Sequence, residues 1–97
     1  MRDGRTTAFE LVVTENFDRE FSKLRNAAME RRIWRKVRAL EEDPLGGSPL
    51  VGTEDSEFGR LYRLRIGDYR VVYAVRHEAR RVILLHVGHR KNVYRGR

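Results

Sequence analysis

The stretch RLYRLRIGDYRVVYAV, residues 60–75, begins at Arg60 and sets Arg63, Arg65 and Arg70 among large apolar side chains on either side of Gly67-Asp68. A Gly-Asp pair between two strand-like runs reads as a two-residue hairpin turn, which fixes the register. Ile66 then faces Tyr69, Arg65 faces Arg70, Leu64 faces Val71, and Arg63 faces Val72. Alternation puts Tyr62, Leu64, Ile66, Tyr69, Val71 and Tyr73 on one face and Arg63, Arg65 and Arg70 on the other. Like charges directly opposite each other repel. At about 5 Å the repulsion is ~0.8 kcal/mol in bulk water and ~3 kcal/mol at an effective dielectric of 20. Asp68 is the only acidic neighbour in the stretch. The pattern suits an anion site, the plain alternative being a solvated basic face.

The sequence VGHRKNVYRGR follows the last strand-like run and adds His89, Arg90, Lys91, Tyr94 and Arg95. Gly88 lets the chain turn there, which would bring these side chains to the rim of the arginine face. Arginine, histidine and tyrosine together suffice for metal-free cleavage of RNA by its own 2′-hydroxyl. That reaction needs a base for the hydroxyl, cations around the phosphorane and a proton for the departing 5′-oxygen. Neighbouring arginines favour a tyrosine's phenolate and make it a usable base, with His89 as the alternative acid or base. His77 reads as a turn residue and His86, on an apolar strand, as a core residue. With no cysteine and few well-spaced carboxylates, no metal site is expected and no cofactor motif is present.

The charge is placed unevenly. Of a net +7, residues 60–97 hold eleven Lys/Arg against two Asp/Glu, whereas residues 1–59 hold ten against twelve. A basic half rich in arginine points to a polyanion partner, nucleic acid first. The absence of cysteine suits a reducing compartment, and no run approaches a membrane span or a signal peptide, so a cytoplasmic location without membrane contact is expected.

The elements that must position these residues follow from periodicity. Residues 7–13 alternate as a strand. Thr14 and Asn26 are N-caps for two helices, the second carrying the apolar stripe Met29, Ile33, Val37 and Leu40 and ending at Pro44. Trp34 lies off that stripe, either lapping over the core edge or marking a contact surface. Residues 44–59 read as a long loop. Strands at 61–66, 69–75 and 82–87 complete a meander, with VILLHV as a central strand covered on both faces. The expected architecture is a single domain, 1–97, of α+β class and order β-α-α-β-β-β. Its helical hairpin packs on one face of a mainly antiparallel, twisted, four-stranded sheet.

The combination of LYRLRIGDYRVVYAV with VILLHVGHRKNVYR resembles the RelE/ParE toxin superfamily, and within it the RelE-type ribonucleases. The resemblance covers most of the chain and is strongest in the last forty residues. It implies a RelE-like fold and cofactor-free cleavage of mRNA in the ribosomal A site, leaving a 2′,3′-cyclic phosphate and a 5′-hydroxyl. It also implies a helical, RelB-like antitoxin that wraps the toxin. By the same resemblance Arg63 and Arg65 hold the backbone and favour the tyrosine's phenolate, Arg70 grips the phosphate, Arg90 stabilises or protonates the leaving side, and Tyr94 is the base or a stacking platform. His89 shares the acid–base work, and Arg60, Lys91 and Arg95 extend the RNA and ribosome contact. The best-known family pattern has lysines where this chain has Arg63 and Arg65, and arginine does not readily give up a proton. Two other functions are compatible with the fold: a ParE-type inhibitor of DNA gyrase and a non-catalytic basic module that binds RNA or ribosomes.

Overall fold

The computed structural model describes residues 8–91. Strand β1, Glu10–Val13, is followed at once by helix α1, Glu15–Ser22. Thr14 makes the junction: its Oγ1 accepts from the Phe17 amide at 3.1 Å and donates to the Leu84 carbonyl at 2.7 Å. The cap thus satisfies one orphan amide of the helix while tying its start to the sheet. Glu15 and Asp18 sit in the first turn, where the helix dipole favours negative charge. After Ser22 the chain reverses through Arg25, which takes φ 51°. Asn26 then caps helix α2, Ala27–Arg38, accepting from the Met29 amide at 3.0 Å. The α-helix gives way to a 3-10 turn at Ala39–Glu41, earlier than Pro44 alone requires.

The remaining strands are β2, Ser48–Pro49, β3, Leu61–Ile66, β4, Tyr69–Arg76, and β5, Arg81–His89. They form one five-stranded sheet in the order β1-β5-β4-β3-β2. The expected four strands are therefore five, and the sheet is mixed, because β1 runs parallel to β5 while the other pairings are antiparallel. The extra strand arises inside the long loop, where Ser48 pairs with Arg63 and Pro49 with Tyr62. A two-residue edge strand ending in proline carries no periodicity, so nothing in its sequence announces it. It is held by neighbours: the Gly47 amide donates to the Tyr73 hydroxyl at 2.9 Å. A Cβ at Gly47 would stand 2.5 Å from the Arg63 carbonyl oxygen, so only glycine allows this approach. At the other edge the regular strand starts at Glu10, shorter than the expected 7–13; residue 7 of that range lies outside the described part.

The helices cover one sheet face. Phe17, Ile33, Val37 and Leu40 pack against Ile66, Val71, Tyr73, Val82, Leu84 and Val87, all at 3% exposure or less. The expected stripe is thus core, with Met29 at its margin. Trp34 is half-buried against the same cluster, its ring 6.4 Å from that of Phe21. Beyond Val13, α1 takes over the task of β1. Asn16 Nδ2 donates to the Leu85 carbonyl at 2.8 Å, and Glu20 Oε1 accepts from the Val87 amide at 3.0 Å. Two side chains thereby continue the backbone ladder that β1 leaves off at Leu84.

Candidate nucleic-acid interface and active site

The hairpin forms in the register expected from Gly67-Asp68. Ile66 pairs with Tyr69, Arg65 with Arg70, Leu64 with Val71 and Arg63 with Val72. Gly67 takes φ 60°, the positive value a type II′ turn needs at its first central position. Arg63, Arg65 and Arg70 consequently share the face opposite the helices. The three are not equally solvated. Arg65 is exposed and Arg63 half-buried, while Arg70 keeps only 7% of its surface accessible.

Arg70 can lie so low because the turn receives it. Its Nη1 donates to the Gly67 carbonyl at 3.1 Å and to its neighbour Tyr69's carbonyl at 3.0 Å. Carbonyl dipoles therefore offset part of the repulsion from Arg65. Arg63 is placed differently: its Nε is buried with no hydrogen-bond partner. A buried N–H left unpaired costs about 1–3 kcal/mol, which an acceptor brought to this face would relieve. A further cation arrives from α2, where the Arg32 guanidinium reaches within 3.5 Å of the place a Cβ on Gly67 would occupy.

The third strand of this surface is β5. Gly88 pairs with Arg70 and His86 with Val72, so two rows cross the sheet: Arg65, Arg70, Gly88 and Arg63, Val72, His86. A bulge between Val72 and Tyr73 creates this arrangement, because Tyr73 pairs with Leu84 and leaves Leu85 as the extra residue. Simple alternation from the core residues Val82 and Leu84 assigns His86 to the core. The bulge shifts the parity and carries His86 to the arginine face, with its side chain 46% exposed.

His89 goes the other way. It pairs with Tyr69 and shares that residue's face, on the helix side, with the two rings 5.5 Å apart edge to face. There it helps line a cleft of about 330 Å³ with Glu20, Lys23, Leu24 and Tyr69. The expectation that it joins the arginines is thus not met. Arg90 is exposed just beyond β5, its amide donating to the Asp68 carbonyl at 2.7 Å, which holds it beside the hairpin turn. Lys91 is exposed next to it. Arg60 lies at the far end of β3, exposed and paired with Glu54 at 3.3 Å. It lines a separate cleft of about 410 Å³ with Phe58, Tyr62 and His77. Tyr94 and Arg95 lie outside the described residues.

Tyr73 shows the opposite of what a catalytic tyrosine needs. Burial pushes its phenol up to about 12, against the lowering effect of the Gly47 amide. Its role is to anchor the loop.

A sequence model of the family described as ParE toxin of type II toxin-antitoxin system, parDE, matches residues 11–94. The chain belongs to the RelE/ParE toxin superfamily. Solved structures agree with that assignment. The toxin is 26% identical to a chain of the RelE-RelB complex from Pyrococcus horikoshii, with a TM-score of 0.71 over 89% of this chain and 99% of that one. Against the intact RelBE toxin-antitoxin complex of E. coli the identity is 26% and the TM-score 0.71, over 84% and 96% of the two chains. Against the RelBE2 toxin-antitoxin complex of Mycobacterium tuberculosis they are 25% and 0.70, over 84% and 98%. No curated protein matches the toxin's sequence. Among the described residues no helix is long and apolar enough to cross a membrane.

Proposed function

We propose that this toxin is a ribosome-dependent mRNA endoribonuclease, cleaving in the A site by attack of the 2′-hydroxyl on the adjacent phosphate. The observation that carries the reading is the Arg65–Arg70 juxtaposition beside Arg63, whose buried Nε has no partner. Three guanidiniums on neighbouring strands with an unmet donor among them match a phosphate better than they match water. In this reading Arg63 and Arg65 hold the RNA backbone, Arg70 braces the scissile phosphate from the turn, and Arg90 meets the leaving side. Tyr94 supplies the base, while Lys91 and Arg95 extend the grip along the RNA. Arg60, at the far end of β3, contacts ribosomal RNA outside the site.

The toxin acts in the cytoplasm and is silenced by a helical, RelB-like antitoxin. Support for that partner comes from the solved relatives, which are toxin-antitoxin complexes. The half-buried Trp34 at the helix hairpin is a natural contact for an antitoxin helix.

One observation favours a second reading: the matching family model is described by its ParE member, and ParE-type toxins inhibit gyrase. The deciding experiment is 5′-end mapping of a defined mRNA with and without programmed ribosomes bearing an empty A site, alongside a gyrase supercoiling assay. Cuts at the A-site codon that need the ribosome and vanish in Arg70→Ala and Tyr94→Phe are expected. Intact mRNA together with blocked supercoiling would establish the gyrase reading instead.

A further inference from the structure

We infer that His86 is the proton donor to the departing 5′-oxygen, held in readiness by Asn16 and Glu20 of α1. The inference rests on the RNA-cleavage reading and moves the proton-donor role from Arg90 or His89, where the resemblance puts it, to a residue of β5. Arg63, Arg65 and Arg70 supply positive charge on their face, but a guanidinium stays protonated through the reaction. Tyr62, Tyr69, Tyr73 and His89 fall on the helix side of the sheet by register. Among the described residues, His86 is the imidazole that the register places on the arginine face.

Its surroundings fix how it does so. Asn16 is oriented at both ends: Arg19 Nη2 donates to its Oδ1 at 2.9 Å, and its Nδ2 donates to the Leu85 carbonyl at 2.8 Å. The second Nδ2 hydrogen points to His86 Nδ1, 2.9 Å away. Nδ1 therefore accepts, and the neutral ring carries its hydrogen on Nε2. When the ring takes up a proton, Nδ1 becomes a donor and has Glu20 Oε1 at 3.5 Å to turn to. Glu20 cannot drift, because the same oxygen accepts from the Val87 amide. A carboxylate behind the imidazolium stabilises it and aims its other nitrogen outward, the logic of a histidine–carboxylate dyad. The charges around the ring are Glu20 and Arg19 on α1, Arg70 diagonally placed on β4, and Arg63 two strands away on β3.

The step balances as follows. The 2′-hydroxyl gives its proton to the base, the role the proposed reading assigns to Tyr94, and its oxygen bonds to phosphorus. The bond from phosphorus to the 5′-oxygen breaks, and that oxygen takes the Nε2 proton of the His86 imidazolium. The products are a cyclic phosphate, a 5′-hydroxyl and a neutral ring in its Nδ1–H form, which exchanges protons with water to regain the Nε2–H form that accepts from Asn16.

The test uses the full-length toxin on programmed ribosomes with two mRNAs, one normal and one with a 5′-sulfur at the scissile position. Sulfur leaves without needing a proton. His86→Gln is expected to cut the normal mRNA at least about 100-fold more slowly than wild type, as for loss of a general acid. It should cut the sulfur-containing mRNA at close to the wild-type rate. Glu20→Gln, which retains an acceptor for Val87, should slow cleavage of the normal mRNA and spare the sulfur-containing one. A His86→Gln protein as active as wild type on the normal mRNA, or equally slow on both, would overturn the assignment. So would a Glu20→Gln protein that slows both mRNAs equally. A wild-type toxin that cuts neither mRNA would instead remove the RNA-cleavage reading, and this inference with it.

Discussion

Gly47 offers the sharpest test of how the loop and the arginine face are joined. Replacing it with alanine sets a methyl carbon 2.5 Å from the Arg63 carbonyl oxygen and 2.8 Å from the Tyr73 hydroxyl. The first obstacle is backbone in β3 and cannot swing aside, and the second belongs to a ring with no accessible surface. Relief requires the loop to back away, which breaks the 2.9 Å bond from the Gly47 amide to Tyr73 and weakens the β2 pairing. Overpacking costs about 1–3 kcal/mol and the lost hydrogen bond about 1 kcal/mol. The expected destabilisation is thus about 2–4 kcal/mol, a large part of the stability of a domain this size. Urea titration followed by Trp34 fluorescence reads it directly, and a drop in melting temperature of about 10–20 °C should accompany it. Gly46→Ala is the control, since its new carbon meets Asp43 at 3.2 Å and nothing closer. If Gly47→Ala lies within about 0.5 kcal/mol of wild type, or matches Gly46→Ala, the tight loop–strand approach is not what positions Arg63.

Two further outcomes follow from other contacts. Tyr73 is held neutral to about pH 12, whereas an unfolded tyrosine ionises near ~10. Its contribution is therefore intact below pH ~10 and is lost as pH rises toward 12, so alkaline unfolding should steepen in that window and flatten there in Tyr73→Phe. Thr14→Ala removes both the cap of α1 and the bond to Leu84, and should cost about 1–2 kcal/mol by denaturant titration; Thr14→Ser should recover most of it.

Much of the site could be read from the chain because local rules govern it. The two-residue turn at Gly67-Asp68 alone sets the arginine register, and the caps at Thr14 and Asn26 locate both helices. What stayed hidden depends on distant partners. The β4–β5 register could not be counted through the looser turn near Arg76–Arg81, so the bulge at Leu85 went unseen and the two histidines traded places. Strand β2 exists because Tyr73 and Arg63 hold it, a fact of tertiary packing with no local signature. Dividing the charge by sequence halves also concealed α2, whose exposed Arg31, Arg32, Arg35, Lys36 and Arg38 make a basic helix within the acidic half. The burial of Arg70 follows from the turn carbonyls curling toward it, which strand alternation does not encode.

The position of β5 has a consequence for the timing of synthesis. It lies between β1 and β4, yet it is the last of the five strands to leave the ribosome, and the Thr14–Leu84 bond joins residues 70 positions apart. At 5–20 residues per second that separation is roughly 4–14 s of translation. Through that interval Phe17, Ile33 and Val37 lack the Leu84 and Val87 surface they pack on, and Asn16 and Glu20 have no strand to hold. The arginine hairpin can form earlier, but its third row cannot. Harm to the cell that makes the toxin therefore begins as one late event, and a partner that captures the nascent helices has those seconds in which to act.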